Sequence, residues 1–543
     1  MLNEKTIGQI VKEAARKFPE TEAYVYPEHG IRKTYKEFDE ETDELAKAFI
    51  GLGIQKGEHV AIWSDNKREW LLSQFATGKM GAVLVTVNTN YQESELEYLL
   101  QQSDATTLIL CESYKGTSYL DIIRAVCPDI ENSEKGKIQS EKLPHLKRVI
   151  VMSENDYPGI YTWTELLAHA EKVSDETLAQ QSNSLHNEDV INMQYTSGTT
   201  GFPKGVMLTH KNVVNNGQLV GDYIHLTEND RLCIPVPFFH CFGCVMGTIA
   251  SVTHGTTMVI IEQFNPEKVL QMVQDEKCTA LHGVPTMFIA ELNHPDFAQF
   301  NLKSLRTGIM AGSICPIEVM KKVIEDMGLS EITIAYGQTE SSPVITQTKT
   351  DDAIEKRVST VGKAHPGVKV KIIDPVTGED TPAGVPGELC TRGYLVMKGY
   401  YKNEEATKSA IDAEGWLHTG DIAVMDEDGY IDITGRIKDM VIRGGENIYP
   451  KEVEEFLYQH PSIQDVQVVG VPDPKYGEEL MAWIILKAGE NLDAEQLKDF
   501  CKGKISHHKI PKYIEFIDAY PMTASGKIQK FLLREMSKEK ALV

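Results

Sequence analysis

The sequence of 543 residues is short of positive charge and has no long uninterrupted apolar segment. It carries 55 Lys and Arg residues against 79 Asp and Glu residues, which gives a formal net charge of −24. This balance argues against a chain that binds nucleic acid broadly or attaches to a membrane through basic residues. No apolar run approaches the roughly 18 uncharged residues that a membrane-spanning helix requires.

Cysteine is also scarce, with nine residues scattered along the chain. This is too few for a disulfide scaffold and predicts reduced thiols. Cys241 and Cys244 form the one close pair, and without a second pair we interpret them as small side chains of an apolar wall rather than metal ligands. Residues 1–5 do not resemble a secretion signal, and residues 541–543 are not a peroxisomal address. We therefore expect a cytoplasmic protein.

The length exceeds that of a typical domain of roughly 100–150 residues, so at least two domains are expected. Over the first two thirds of the chain, short β-branched runs such as 59–63 and 82–86 alternate with amphipathic helical patterns. One such helix is predicted through Trp70 and Phe75. Strands and helices in alternation predict βαβ units, and hence an α/β fold with parallel sheets covered by helices.

The pattern changes near residue 359. Apolar and charged residues alternate over 368–372, and Asp426–Gly429 has the composition of a hairpin turn. These features predict an antiparallel β section, expected as a barrel, over residues 359–436. A small α+β pattern follows.

We accordingly predict a large N-terminal domain over residues 1–436, a hinge at 437–438 and a small mobile C-terminal domain over 439–543. Residues 438–543 carry 15 Lys and Arg against 17 Asp and Glu, so almost all of the negative charge lies in the larger domain. The change in charge balance therefore coincides with the predicted boundary.

The most informative segment is the glycine-rich loop in residues 195–206, which follows a predicted strand and precedes a helix expected to begin near Thr209. Glycines let backbone N–H groups converge on phosphate oxygens, while hydroxyls and a lysine add further donors. The candidates are Thr196, Ser197, Gly198, Thr199, Thr200, Gly201 and Lys204. The loop is not a Walker A motif, because no Gly-Lys pair in the chain is followed by Ser or Thr. The alternative is a flexible surface loop.

This segment resembles the phosphate-binding signature of the adenylate-forming superfamily, which includes acyl- and aryl-CoA synthetases, luciferases and the adenylation domains of peptide synthetases. Further motifs follow in the family's order, at residues 335–340, 416–421, 433–439, 443–450 and 521–527. The likeness extends from about residue 5 to residue 535. It is strongest to medium- and long-chain fatty acyl-CoA synthetases.

The resemblance assigns a nucleotide site. It implies that Tyr336 packs against adenine, that Asp421 accepts the ribose hydroxyls, and that Arg436 holds ribose or phosphate oxygens. A core tyrosine and a structural ion pair are the alternatives for these residues. It further implies Mg²⁺ bound by Glu340, with Thr196 as a second oxygen ligand. The pocket wall is expected to include Gly312, Ser313, Ala335, Gly337 and Thr339.

The resemblance also assigns the reacting groups. Lys527 is expected to bridge the charges that develop when a carboxylate attacks the α-phosphate, the alternative being a surface lysine. Lys438 stands at the family's hinge position, and Gly444 and Gly445 would line the channel for the CoA arm. His240 would lie beside the reacting carbonyl, although a histidine next to aromatic residues is as often a packed core residue.

Together these features predict a ligase that takes a fatty acid or another small carboxylic acid, ATP and CoA and yields acyl-CoA, AMP and pyrophosphate. An aryl-acid CoA ligase is the main alternative, and a catalytically silent nucleotide-binding regulator is the alternative from another class. The prediction includes no nucleic-acid partner and no transmembrane segment, and it is compatible with a homodimer.

Overall fold

The structure is a computed structural model that describes residues 2–196, 203–444 and 446–541. The α-helices are α1 (Ile7–Lys17), α2 (Tyr35–Gly51), α3 (Arg68–Met80), α4 (Glu93–Gln102), α5 (Tyr119–Val126), α6 (Trp163–Ala168), α7 (Asp175–Asn183), α8 (His210–Tyr223), α9 (Ala250–His254), α10 (Pro266–Asp275), α11 (Pro285–Leu292), α12 (Ile317–Met327), α13 (Ile354–Ser359), α14 (Glu404–Ala410), α15 (Pro450–Leu457), α16 (Ala494–Cys501) and α17 (Lys530–Ala541). A π-helix spans Phe242–Ile249.

The strands of the first half are β1 (Glu22–Tyr26), β2 (Ile31–Thr34), β3 (His59–Trp63), β4 (Val83–Thr86), β5 (Thr107–Leu110), β6 (Ser113–Tyr114), β7 (Thr117–Ser118), β8 (Arg148–Val151), β9 (Val190–Thr196), β10 (Lys204–Thr209), β11 (Arg231–Ile234), β12 (Thr257–Ile260) and β13 (Ala280–Gly283). Those of the second half are β14 (Thr307–Ala311), β15 (Glu331–Gly337), β16 (Val344–Gln347), β17 (Lys363–Ala364), β18 (Val368–Ile373), β19 (Gly387–Gly393), β20 (Gly399–Tyr400), β21 (Leu417–Met425), β22 (Ile431–Arg436), β23 (Val441–Arg443), β24 (Glu446–Ile448), β25 (Ile463–Asp473), β26 (Gly477–Leu486) and β27 (Tyr513–Phe516).

The first helix shows how the local sequence sets an element. Thr6 and Gln9 form a reciprocal capping box at the start of α1, which satisfies two backbone N–H groups that the helix leaves unpaired. Ile7, Ile10 and Val11 are buried on one face, at the spacing of an amphipathic helix. The apolar face of α1 therefore packs into the core.

Two large sheets contain most of the predicted strands. One has the order β20-β10-β9-β4-β3-β5-β8, and the other has the order β17-β16-β15-β14-β13-β11-β12-β1-β2. The central strands of both sheets run parallel, while antiparallel pairs close the ends at β9/β10/β20, β15/β16/β17 and β1/β2. The α/β fold with parallel sheets is confirmed.

A shared apolar core joins the two sheets. It combines buried residues of β3 and β4 from the first sheet with residues of β1, β11 and β12 from the second, together with the inner faces of α1, α2, α3 and α8. Separate cores cover the outer face of each sheet, through α4 and α5 on one side and α10, α11 and α12 on the other. The helices therefore lie between and outside the sheets, as the alternating pattern predicts.

The antiparallel section is a sheet of four strands in the order β18-β19-β21-β22. Strand β18 pairs with β19 in register from Val368 opposite Gly393 to Ile373 opposite Glu388. Strands β21 and β22 are joined by the turn at Asp426. The Asp426 carboxylate stabilises this turn by accepting the backbone N–H groups of Asp428 and Tyr430. The antiparallel section is confirmed, and it takes the form of this four-stranded sheet.

The C-terminal part contains a separate sheet in the order β24-β23-β26-β25, with β27 added parallel to β26. Helices α15 and α16 cover one face of it, through a core that includes Val453, Leu457 and Leu497. Helix α17 packs on the other face, where Leu533 is buried beside Trp483. This part therefore has its own apolar cores, as the α+β pattern predicts.

The helix predicted to begin near Thr209, after the glycine-rich loop, is confirmed as α8, which the Thr209 hydroxyl caps. Strand β10 lies between them and pairs antiparallel with β9. Strands β9 and β10 therefore flank the glycine-rich loop in the sequence. Residues 204–209 are extended because β10 forms hydrogen bonds with its neighbouring strands β9 and β20.

All nine cysteines are buried, and each is a free thiol. Among residues 2–196, 203–444 and 446–541, no helix combines the length and apolar character needed to cross a bilayer.

Candidate active site

A buried carboxylate, a tyrosine and an arginine form a cluster where the second large sheet meets the antiparallel sheet. The Tyr336 hydroxyl donates to Oδ2 of Asp421 over 2.7 Å, and Nε of Arg436 lies 3.1 Å from Oδ1. Asp421 is 4% exposed, and burial raises the pKa of its carboxyl while Arg436 and Tyr336 oppose the shift. We call these three residues the Asp421 cluster.

The backbone fixes the Asp421 cluster. Asp421 and Arg436 are direct partners in the β21/β22 register, so their side chains share one face of the sheet. Tyr336 lies near the end of β15, between Ala335 and Gly337. A Cβ at Gly337 would lie 1.8 Å from the Pro343 carbonyl oxygen, so only glycine fits there. The cluster is therefore set by three strands.

The Lys527 side chain reaches this site from the C-terminal part. Its Cε lies 3.4 Å from the position that a Cβ at Gly312 would take, and Gly312 has a φ of +92°. Burial lowers the pKa of Lys527 to about 8, with Arg436 contributing in the same direction, while Cys241, Asp421 and Glu340 oppose the shift. Within the described residues, its ammonium group has no hydrogen-bond partner. A cation in this environment is suited to an anionic ligand.

His240 stands at the start of the π-helix, where its Nδ1 accepts the Phe242 N–H over 3.2 Å. Burial, together with the smaller effect of the neighbouring Lys527, lowers the pKa of His240 to about 3. The imidazole is therefore neutral near pH 7. π-Helical turns occur often at functional sites, and His240 lies two residues before this one, near enough to Lys527 for its charge to act on the imidazole.

The base of the glycine-rich loop carries a second set of charges. Thr196 and Lys204 face each other in the β9/β10 register. The Lys204 ammonium lies 4.3 Å from the centroid of the Tyr400 ring, and the Tyr400 hydroxyl donates to Oε1 of Glu340 over 2.7 Å. Tyr400 thus connects the cation of the loop to the carboxylate.

Cys241 and Cys244 flank the side chain of a glutamine. The Cys241 thiol donates to Oε1 of Gln194 over 2.9 Å, and Nε2 of Gln194 donates to the Cys244 sulfur over 3.1 Å. Burial raises the pKa of both thiols, to about 12 for Cys244. These buried thiols fit the predicted structural role in a site wall.

One set of metal-type ligands lies close together in the part of the chain that the structure describes, namely Glu388, Cys390 and His418. Both carboxylate oxygens of Glu388 already accept hydrogen bonds, Oε2 from Nδ1 of His418 over 3.1 Å and Oε1 from the Gly420 N–H over 3.0 Å. Gly420 precedes Asp421 in the chain. The set is therefore explained as a brace for the turn that carries Asp421.

The structure gathers most of the residues predicted for the site and separates others. Brought together are Lys527, His240, Gly312, Glu340, Tyr336, Asp421, Arg436, Lys204 and Thr196, with Ala335, Gly337 and Thr339 adjoining in the chain. Ser313 follows Gly312 and is exposed. Ser197, Gly198, Thr199, Thr200, Gly201 and Gly445 lie outside the described residues.

Two further predicted residues lie beyond this group. Lys438 is exposed to solvent on the short turn after β22, and partial desolvation by its neighbours, followed by the charge of the adjacent Arg436, lowers its pKa. Gly444 joins β23 to β24 with a φ of +59°, and its N–H donates to the carbonyl of Tyr476 over 2.8 Å. Gly444 therefore contacts its own C-terminal sheet.

Sequence reasoning missed Tyr400 and Thr286. Tyr400 follows Gly399 in a run of two tyrosines, a signal that the sequence does offer, but its link to Glu340 spans 60 residues. Thr286 donates to the carbonyl of Gly526 over 2.8 Å, across 240 residues. No local pattern identifies a contact of that separation.

Comparison with known proteins decides the family. The family model described as AMP-binding enzyme matches residues 11–401, and the model described as AMP-binding enzyme C-terminal domain matches residues 452–527. The chain belongs to the AMP-binding enzymes. The resemblance to adenylate-forming enzymes is thereby confirmed. ATP and CoA are substrates typical of this family.

Individual relatives of this AMP-binding enzyme cover its whole length. It is 58% identical to the putative acyl-CoA synthetase YngI of Bacillus subtilis over 534 residues, covering 98% of this chain and 97% of that protein. It is 42% identical to the mitochondrial medium-chain acyl-CoA ligase ACSF2 of Rattus norvegicus, with coverages of 98% and 88%. The crystal structure of the anthranilate CoA ligase AuaEII with anthranoyl-AMP superposes with a TM-score of 0.85 at 28% identity, with coverages of 99% and 98%.

Proposed function

We propose that this AMP-binding enzyme is an ATP-dependent acid–thiol ligase that activates a fatty acid as an acyl-adenylate and transfers the acyl group to CoA. The observation that carries the proposal is the placement of Lys527 beside the Asp421 cluster and His240. A cation with a lowered pKa thus faces a site with a ribose-type carboxylate. The names of the relatives, acyl-CoA synthetase and medium-chain acyl-CoA ligase, support the same activity.

The Asp421 cluster is the proposed site for the nucleoside. The Asp421 carboxylate would accept both ribose hydroxyls, as the acidic residue does in dinucleotide-binding folds. Arg436 keeps its charge at any working pH and offers a fixed fork of donors for ribose or phosphate oxygens. The Tyr336 ring would flank adenine. Gly312, Ser313, Ala335, Gly337 and Thr339 would form the remaining wall.

The loop after β9 is the proposed site for the phosphates, with Thr196, Lys204 and the residues 197–201 as donors. Glu340 and Thr196 fit Mg²⁺, because both offer hard oxygen ligands and Oε2 of Glu340 has no hydrogen-bond partner among the described residues. When bound, Mg²⁺ would neutralise charge on the phosphate oxygens. Tyr400 would orient Glu340 for this purpose through its hydroxyl.

In the first proposed reaction, a carboxylate oxygen of the acid attacks the α-phosphorus of ATP. The bond between the α-phosphorus and its bridging oxygen breaks, and pyrophosphate leaves. The attack brings two anions together, so Lys527 would stabilise the transition state by bridging the carboxylate and the α-phosphate. Its environment supports this role, because no anionic side chain among the described residues forms a hydrogen bond with the ammonium group.

In the second proposed reaction, the CoA sulfur attacks the carbonyl carbon, the bond from that carbon to the phosphate oxygen breaks, and AMP leaves. The thiol proton passes to solvent. We infer that the C-terminal part over 439–543 acts as a lid that rotates at residues 437–438, withdraws Lys527 and brings Gly444 and Gly445 to the site. Neutral His240 would lie at the carbonyl between the two channels.

The experiment is a measurement of pyrophosphate release over a panel of fatty and aromatic acids, with and without CoA. We expect release to depend on a medium- or long-chain fatty acid. Preferential release with aromatic acids would favour an aryl-acid CoA ligase, a candidate supported by the likeness to the anthranilate CoA ligase. ATP binding without release on any acid would favour a silent regulator and overturn the proposal.

A further inference from the structure

Among the described residues, one hydrogen bond joins residues 1–438, the body of the protein, to the turn that carries Lys527. The Thr286 hydroxyl donates to the Gly526 carbonyl over 2.8 Å. Within the described residues, no other hydrogen bond connects residues 1–438 to residues 523–527. The contact therefore acts on the residue directly before Lys527.

The turn over residues 523–527 is closed by its own hydrogen bonds. The Thr523 N–H donates to the Lys527 carbonyl over 2.7 Å, and the Lys527 N–H donates to the Thr523 hydroxyl over 2.9 Å. The Gly526 N–H donates to the Thr523 carbonyl over 3.0 Å. Because the turn is braced internally, whatever fixes Gly526 also fixes the start of the Lys527 side chain.

The contact also needs a glycine on the turn. Gly526 has a φ of +79°, which other residues rarely adopt, and a Cβ there would lie 2.9 Å from Cγ2 of Val284. On the other side, Thr286 is the second residue of α11, and its hydroxyl donates to the turn rather than capping its own helix. Helix α11 packs into the core through Phe288. A rigid element thus presents the hydroxyl to the turn.

Other hydrogen bonds between residues 1–438 and the C-terminal part lie away from the turn over residues 523–527. Oε2 of Glu455 on α15 accepts the Ile317 N–H at the start of α12 over 3.4 Å. Lys451 donates to the Asp432 carboxylate over 2.5 Å and to the Ile433 carbonyl over 2.9 Å. These contacts can hold α15 against the body without Thr286. Loss of the Thr286 hydroxyl is therefore expected to loosen the Lys527 turn while the remaining interface persists.

We propose that Thr286 is a positioning residue for the adenylation step, which acts by holding the Gly526 carbonyl so that Lys527 reaches the α-phosphate. This inference rests on the proposed function and deepens it. The contact exists only when the Lys527 turn is docked, so it belongs to the first reaction. The second reaction, with the lid rotated away, does not use it.

The test compares Thr286→Val, which keeps the shape and removes the hydroxyl, with Thr286→Ser, which keeps the hydroxyl. Thr253→Val is the matched control, because Thr253 also lies on a helix of the body and its hydroxyl also donates to backbone carbonyls. For T286V we expect adenylation, followed as acid-dependent pyrophosphate release, to fall about 3- to 10-fold. T286S and T253V should stay close to wild type.

The second reaction is measured separately, from supplied acyl-adenylate and CoA, and T286V should leave its rate unchanged. Equal losses in both reactions would indicate a merely structural role and overturn the proposal, as would unchanged adenylation in T286V.

Hydrogen–deuterium exchange of a peptide covering 520–530, in protein without substrate, tests the contact independently of activity. We expect faster exchange in T286V than in T253V, and equal exchange would count against the contact. A wild-type enzyme that releases no pyrophosphate with any acid would instead overturn the proposed function and leave the exchange result to judge the contact.

Discussion

The Asp421 cluster and the Lys527 turn meet in one site but are held there differently. In the cluster, Asp421 and Arg436 are partners across paired strands, and both oxygens of the Asp421 carboxylate have a partner. Lys527 comes from the C-terminal part, lies on a glycine turn and has no hydrogen-bond partner for its ammonium group among the described residues. Burial lowers its pKa to about 8.

This difference matches the two proposed roles, in which the Asp421 cluster binds the nucleotide and Lys527 acts in the adenylation step. Groups that bind a nucleotide in both proposed reactions are preorganised, so they lose little conformational freedom when the ligand arrives. Under the proposed function, Lys527 is needed in one reaction only, and it lies where burial of its charge is unfavourable until an anion is present. Binding of an anionic substrate would therefore favour docking of Lys527.

The largest expected effect comes from Lys527→Ala. We expect adenylation to fall by several orders of magnitude, because the bridging charge is lost in the transition state. Reaction of supplied acyl-adenylate with CoA should continue near the wild-type rate. Lys538→Ala, an exposed lysine on α17, is the control. Equal losses in both half-reactions would break the distinction between the turn and the cluster.

Asp421→Asn is expected to weaken both half-reactions, because the cluster would hold the nucleotide in each. Loss of hydrogen bonds to a charged acceptor predicts a rise of about 10- to 100-fold in KM for ATP. Steady-state kinetics and AMP binding by calorimetry would measure it. The matched control is Asp374→Asn, in a loop of the same antiparallel sheet. An effect on adenylation alone would contradict the assignment of Asp421 to both steps.

The pH dependence of the two half-reactions is expected to differ because only adenylation would require charged Lys527. Lys527 is charged below its pKa of about 8 and neutral above it. We therefore expect kcat/KM of adenylation for ATP to be level below about pH 8 and to fall about tenfold for each unit above it. The second half-reaction should show no such break. A profile that stays level to pH 10 in adenylation would exclude Lys527 as the required cation.

The smallest effect is expected for Tyr400→Phe. This change removes the hydrogen bond to Glu340 but leaves a ring beneath the Lys204 ammonium. We predict a fall of about 2- to 10-fold in adenylation and a higher Mg²⁺ concentration for half-maximal rate. Tyr401→Phe, which removes the hydroxyl that donates to Asp104, is the control. An unchanged Mg²⁺ requirement would show that Tyr400 does not orient Glu340.

Much of this molecule could be predicted from its sequence. Strands such as β3 and β4 are buried on both faces, and their continuous apolar runs identify them locally. Sequence motifs identify Asp421 and Arg436 as site residues. The hairpin turn at Asp426 joins their strands and so brings both side chains to one face of the sheet. By contrast, β20 has only two residues and is defined by its pairing with β10.

The contacts of Tyr400 and Thr286 could not be predicted from the sequence, and one physical reason applies to both. Each is a single hydrogen bond between residues far apart in the chain, and neither requires a residue type that is unusual for its position. Tyrosine and threonine occur in many strands and helices without such partners. Only the packing of whole sheets and of the C-terminal part against them brings the atoms together.

The burial of all nine thiols has a practical consequence. Maleimide dyes react with accessible thiolates, so the native chain should label slowly at every cysteine it has. Two cysteines introduced on exposed positions, one in the N-terminal sheets and one in α17, would then be the fast sites. Pairs of dyes could be attached without first replacing native cysteines, and single-molecule fluorescence could test whether the C-terminal part rotates during turnover as proposed.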